Sequence, residues 1–211
     1  MSTLATLKTR IADELSRSDL TSQIALAITD AIGKYQKVRF YFNETGALGE
    51  TFNTGAGTET YTSASNPNLP FMYDLDDLFI TVSGNLSVLQ RIDPTLYRLQ
   101  KTNSASGQPY NYMWLNQTIS LWPVPDQAYT ITMVGHYKLA APASDSEANN
   151  KWMTDAERLI RSCAKRMLYE DVLLDQDAAA ASEKAELDSL IDLKGVTATM
   201  VRAGFIQPVE F

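Results

Sequence analysis

Apolar side chains recur at helical spacing through the first 42 residues. Leu4, Leu7, Ile11 and Leu15 form one stripe, and after the polar stretch 16–19 a second follows in Ile24, Ala27, Ile28, Ala31, Ile32 and Tyr35. Thr21 is placed to cap the second helix. The run Val38, Phe40, Tyr41, Phe42 suits either a strand or, as the preferred expectation, a continuation of that helix to about residue 42.

Beyond residue 42 the period becomes two. Segments 51–54 and 59–62 flank Gly55-Ala56-Gly57, and segments 79–83 and 86–90 flank Gly84-Asn85, so both pairs read as hairpins. Asp93-Pro94 supplies an N-cap followed by proline at the first helical position, opening a short helix through Leu96 and Leu99 to about Lys101. A third hairpin over 110–115 and 118–122 follows, and Pro123-Val124-Pro125-Asp126 turns the chain into a strand over 128–139. In that strand Tyr129, Ile131, Met133, Tyr137 and Leu139 are expected on a buried face, with Thr130, Thr132, His136 and Lys138 on a wet one. Such alternation is the mark of an antiparallel sheet.

Helical periodicity returns after the loop 140–150. Thr154-Asp155-Ala156-Glu157 matches a capping box, and the helix it opens carries the stripe Leu159, Ile160, Cys163, Met167 and Leu174, continues through 178–193 and stops at Gly195. The last twelve residues then hold six large apolar side chains, Met200, Val201, Phe205, Ile206, Val209 and Phe211. A segment of that kind either folds back as a terminal strand or docks on a partner.

These patterns predict an α+β protein in which a helical bundle built from both chain ends carries an inserted antiparallel β-rich region and an extended C-terminal tail. The expected division is N-terminal helices over 1–42, the insertion with one short helix over 43–150, long helices over 151–195 and the tail over 196–211.

Composition narrows the chemistry. At 211 residues, 45% hydrophobic and 20% charged, the chain has the makings of an ordinary globular core. One Cys and one His exclude an internal disulfide and a structural zinc site built from nitrogen and sulfur ligands, and no cofactor or metal is expected. Charged residues among the first twenty and the lack of a long apolar run point to a protein made in the cytoplasm, with no membrane partner. The formal charge of −7 argues against tight phosphate binding. It is unevenly spread: 43–150 holds 4 basic and 10 acidic residues, against 6 and 4 in 1–42 and 8 and 11 in 151–211.

Few residues suggest a reactive site. Gly55-Ala56-Gly57 lacks the third glycine and the strand-to-helix setting of a dinucleotide loop. Asp74, Asp76 and Asp77 could take a hard cation or serve as a carboxylate pair, but the ordinary expectation is a solvated turn before a strand. His136 is weighed as a general base against a solvent-facing strand residue, Cys163 is expected as a small core hydrophobe, and the Asn116-Gln117-Thr118 match to a glycosylation acceptor is taken as accidental. Arg158, Arg161 and Lys165 form a basic stripe at i, i+3 and i+7, read either as a solvated face balanced by local acids or as a contact with another subunit. DNA binding by that stripe ranks below both.

Several motifs together resemble the head–tail adaptor proteins of tailed bacteriophages. They are the two N-terminal helices, Lys37-Val38-Arg39-Phe40-Tyr41-Phe42-Asn43-Glu44 followed by Thr51-Phe52-Asn53-Thr54, the Gly107-Gln108-Pro109 loop with Tyr112, Leu121-Trp122-Pro123-Val124-Pro125-Asp126 with Tyr129, and the closing Asn150-Lys151-Trp152 before the long helix. The resemblance spans nearly the whole chain and implies a structural, non-enzymatic virion protein of the neck. It further implies a homo-oligomeric ring of about a dozen copies beneath the portal protein, joined below to a tail or nozzle protein, through which genome DNA passes without specific binding. By the same resemblance, Met200, Val201, Phe205, Ile206, Val209 and Phe211 would dock on the portal, while the basic stripe is a candidate subunit interface. The alternatives are another tail-tube or tail-completion protein, or a virion-associated cell-wall hydrolase using the Asp74, Asp76, Asp77 cluster.

Overall fold

Six helices and seven strands are present among the described residues, 2–45, 50–102 and 105–201, of a computed structural model of the chain. The fold is mixed α+β, and it divides into two units: residues 1–42 together with those from 139 onward, and residues 43–138.

In the helical unit, α1 (Leu4–Leu15) is opened by Thr3, whose hydroxyl accepts from Thr6 N at 3.3 Å while the Thr6 hydroxyl accepts from Thr3 N at 2.8 Å. The second helix, α2 (Thr21–Tyr35), starts one residue earlier than expected. Leu20 occupies its N-cap without a side-chain bond, and Thr21 is already helical. α2 also stops at Tyr35 instead of running to residue 42. Two residues apart on a helix, Phe40 and Phe42 would point about 200° apart. Here both rings are buried, stacked at 5.2 Å, and both meet Trp152 edge-on, which requires the chain to leave the helix.

The capping box expected at Thr154–Glu157 does not form. Asn150 instead caps a short helix, α4 (Lys151–Thr154), by accepting from Trp152 N at 3.1 Å, and α5 (Glu157–Leu168) begins without a side-chain cap. The Glu157 carboxylate accepts from Arg10 of α1 at 2.7 Å. A π-helical turn (Tyr169–Leu173) and left-handed Leu174 (φ 54°) then separate α5 from α6 (Gln176–Val201), where one continuous stripe had been anticipated. Leu174 is 74% exposed and belongs to no core face. Gly195 is not a stop either, since it lies inside α6. One core joins this unit, with Leu7, Ile11, Ile24, Ile28, Ile32, Trp152, Leu159 and Ile160 nearly inaccessible.

The second unit is a curled seven-stranded sheet in the order β1-β7-β3-β4-β5-β6-β2. Its strands are β1 (Glu50–Asn53), β2 (Thr60–Tyr61), β3 (Met72–Val82), β4 (Asn85–Arg91), β5 (Asn111–Leu115), β6 (Thr118–Trp122) and β7 (Thr130–Tyr137). Every neighbour pair is antiparallel except β4–β5. The hairpins β3–β4 and β5–β6 both form, each from two consecutive positive-φ residues: Ser83 and Gly84, one residue before the expected Gly84-Asn85, then Asn116 and Gln117. The anticipated hairpin around Gly55–Gly57 is absent, because β1 pairs with β7 and β2 with β6. Thr54 N donates to Tyr129 O and Gly57 N to Pro125 O, so this connection is tied to the 125–129 turn while crossing from one end of the strand order to the other. The curl brings those ends together, with the Phe52 and Tyr61 rings 5.1 Å apart over a core that includes Leu78, Ile80, Leu121, Ile131 and Met133.

The expected wet face of β7 is also corrected. His136 is 3% exposed and lies 5.2 Å from the Tyr73 ring. β7 is central, flanked by β1 and β3, and two register shifts in β3, between Met72 and Asp74 and between Leu75 and Asp77, break the strict alternation beside it. Asp74, Asp76 and Asp77, expected in a turn, belong to this irregular part of β3.

Helix α3 (Pro94–Lys101) follows the anticipated chemistry: Asp93 accepts from Thr95 N at 2.7 Å, with Pro94 at the first turn. Its buried residue is Tyr97, whose hydroxyl donates to Leu121 O and to Glu59, whereas Leu96 and Leu99 stay exposed.

Candidate functional site

The helical unit presents the chain's most distinctive polar arrangement, and α6 is its centre. Asp175 opens this helix by accepting from Ala178 N at 3.0 Å. At intervals of three and four, Ala179, Ser182, Glu186, Ser189, Leu190, Leu193 and Thr197 mark the side turned inward. Most of these side chains are small or polar. The helix is tied at its far end by the Thr197 hydroxyl, which accepts from Tyr41 N at 3.2 Å.

Glu186 carries the main connection. Its carboxylate, on a residue 4% exposed, accepts from Lys34 Nζ at 2.7 Å, Arg166 Nε at 2.7 Å and the Tyr35 hydroxyl, so α2, α5 and α6 meet at one group. Arg166 also donates to Glu170. Burial opposes the charge on Glu186, but bonds from Lys34, Tyr35, Arg166 and Cys163 outweigh it and hold its pKa at about 2. Burial and the neighbouring carboxylate push Tyr35 well above its ordinary value and Cys163 up to about 12, so the thiol stays protonated and structural. Burial would lower Arg166, yet its two carboxylate partners raise it further. A cleft of about 750 Å³ runs beside this cluster, lined by Lys34, Tyr35, Val38, Arg166, Leu187 and Leu190 among others.

The basic stripe is engaged within the chain. Arg161 and Lys165 lie 3.1 and 2.8 Å from Glu14, Arg161 also lies 3.7 Å from Glu157, and Arg158 lies 3.7 Å from Asp192. Of the apolar C-terminal residues, Met200 lies in α6 and is 64% exposed, and Val201 is the last described residue of that helix. Phe205, Ile206, Val209 and Phe211 lie outside the described residues.

Of the residues considered for catalysis, Asp74 and His136 are register partners across β3 and β7, whereas Cys163 belongs to the helical core. His136 is buried beside Tyr73, Cys163 is buried in the helical core, and Asp74, Asp76 and Asp77 are exposed along one strand. Among the described residues no group of three or more His, Cys, Asp or Glu side chains is placed to hold a metal ion, and no helix is long and apolar enough to cross a membrane. The Glu186 cluster escaped the sequence reading because Lys34, Tyr35, Arg166 and Glu186 share no local motif. The signal available was the 3–4 stripe from Ala179 to Thr197, in which a single charged residue occupies an otherwise small or apolar series.

The described residues build a helical core with a polar clamp and a curled seven-stranded sheet. The profile of the family described as SU10 adaptor protein matches residues 2–205, and the chain belongs to that family of phage head–tail adaptors. Its role is accordingly that of a structural adaptor of the virion neck. No curated protein matches the chain.

Proposed function

We propose that about twelve copies of this chain form a ring beneath the portal, continuing its DNA channel and presenting a platform to the tail, with the segment after α6 docked on the portal. The observation that carries the reading is α6 itself. Over Gln176–Val201, 26 residues, it spans about 39 Å, passes through Gly195 and leaves Met200 exposed, and the apolar residues Phe205, Ile206, Val209 and Phe211 follow in the sequence. The Glu186 clamp and the Thr197–Tyr41 bond fix the helix that bears this segment.

The charge balance is compatible with a DNA conduit. Twelve copies of −7 would carry −84, and a mostly acidic lumen offers DNA few phosphate contacts to break as it slides. In this proposal Arg158, Arg161 and Lys165 face a neighbouring subunit, where an acid such as Asp171, Asp175 or Asp177 would extend their internal pairs into a network. Reversal of Arg158, whose side chain is 61% exposed, should then weaken ring assembly more at low salt than at high salt.

Removal of residues 202–211 tests the docking assignment. The truncated chain should keep its circular dichroism spectrum and melting temperature but fail to co-sediment with portal rings. Unchanged co-sedimentation, or loss of the fold itself, would contradict the assignment.

A further inference from the structure

The sheet unit leaves two apolar patches uncovered, and their charges are opposite. On α3 the helix is inverted with respect to its surroundings: Tyr97 is buried, while Leu96 and Leu99 are 54% and 63% exposed. At 100° per residue Leu99 points away from Tyr97, with Leu96 on one side of it and Arg98 on the other. Two of the four basic residues in 43–138, Arg98 and Lys101, lie on this helix, while Arg91 ends β4 and donates to Leu75 O of β3. Lys101 is paired with Glu59 at 2.9 Å, whereas Arg98 is exposed and makes no ion pair among the described residues.

The second patch is the outward face of β3 and β4. Their register sets Val88 opposite Phe79 and Leu86 opposite Thr81, and the next outward residue of β3 is Asp77. Leu89, Leu78 and Ile80 of the same strands fill the core, so the outward set is fixed by the pleat. Leu86 and Val88 are 60% and 62% exposed. Asp77 is exposed one pleat from Phe79, with Asp74 exposed further along the strand.

We propose that α3 of one copy docks on the β3–β4 face of the next, with Leu96 and Leu99 covering Leu86 and Val88 and with Arg98 meeting Asp77. The occupant is a second copy because one unit carries both halves of the contact, an apolar pair beside Arg98 on α3 and another beside Asp77 on β3. Like-with-like pairing would set Arg98 against Arg98 or Asp77 against Asp77. Two different patches make the contact head-to-tail, the kind that closes into a ring when the rotation permits. The inference rests on the ring proposed above and assigns part of its interface to the sheet unit. That part is separate from the basic stripe of α5.

Cysteine cross-linking of the full chain in assembled particles tests it. Phage carrying Val88→Cys together with Leu99→Cys, treated with a short bis-maleimide, should yield a ladder of covalent multimers. Particles carrying either substitution alone should yield monomer, and Cys163 is buried and unreactive. A ladder confined to the double variant supports the contact. Monomer from the double variant in particles whose necks show the ring by electron microscopy overturns the contact and leaves the ring standing. Covalent dimers from a single variant also overturn it, because they require a symmetric contact. Necks with no ring at all would instead remove the reading on which the contact depends.

Discussion

A single carboxylate at Glu186 joins three helices, and its environment makes its energetic role specific. Its partners are two cations and a phenol, and the residue is 4% exposed. Removing it leaves Arg166 paired with Glu170 and Lys34 46% exposed, so Glu186→Ala should lower unfolding free energy by about 2 kcal/mol, read as a shift in the urea midpoint. With a folded pKa near 2 against an ordinary 4.5, the stabilisation from Glu186 is present above about pH 4.5 and is lost as pH falls towards 2. Acid titration of the melting temperature should therefore be steeper in the unmodified protein than in Glu186→Gln. Cys163 follows from the same surroundings: pushed up to about 12 and buried, it should resist thiol reagents at pH 8 until the protein is unfolded.

Individual elements show where local pattern sufficed and where distant contacts decided. α1, α3 and the hairpins β3–β4 and β5–β6 were legible because their determinants are local: the stripe Leu4, Leu7, Ile11, Leu15, the cap at Asp93, and short turns between alternating segments, the first of them found at Ser83-Gly84 one residue before its expected place. The Gly55–Gly57 hairpin was not, because the partners of its two strands, β7 and β6, come later in the chain. α2 stopped short of residue 42 because Phe40 and Phe42 find Trp152, over 100 residues away. Two glycines make this testable. Gly195 lies within α6 and a methyl group there would meet nothing within 4 Å, so Gly195→Ala should stabilise the protein by about 1 kcal/mol. Gly135 is the opposite case. A Cβ there would lie 2.3 Å from Asp74 O, in the irregular register beside β3, and Gly135→Ala should cost about 2 kcal/mol in thermal unfolding.

At the scale of the whole molecule, family membership rests on residues spread over 2–205, and that membership carries the structural adaptor role. The mixed α+β character was readable from the switch of period near residue 43 and its return after 150. The polar clamp was not, since it depends on side chains brought together from Lys34, Arg166 and Glu186. The opposite charges of α3 and β3 likewise acquire meaning only when strand register shows which side chains face outward. The central claim is that this chain surrounds the DNA path between portal and tail. Electron cryomicroscopy of the neck in purified particles measures that directly: the account predicts a ring of about twelve copies beneath the portal, with the segment after α6 against it. Density for the chain at any other position in the particle would contradict it.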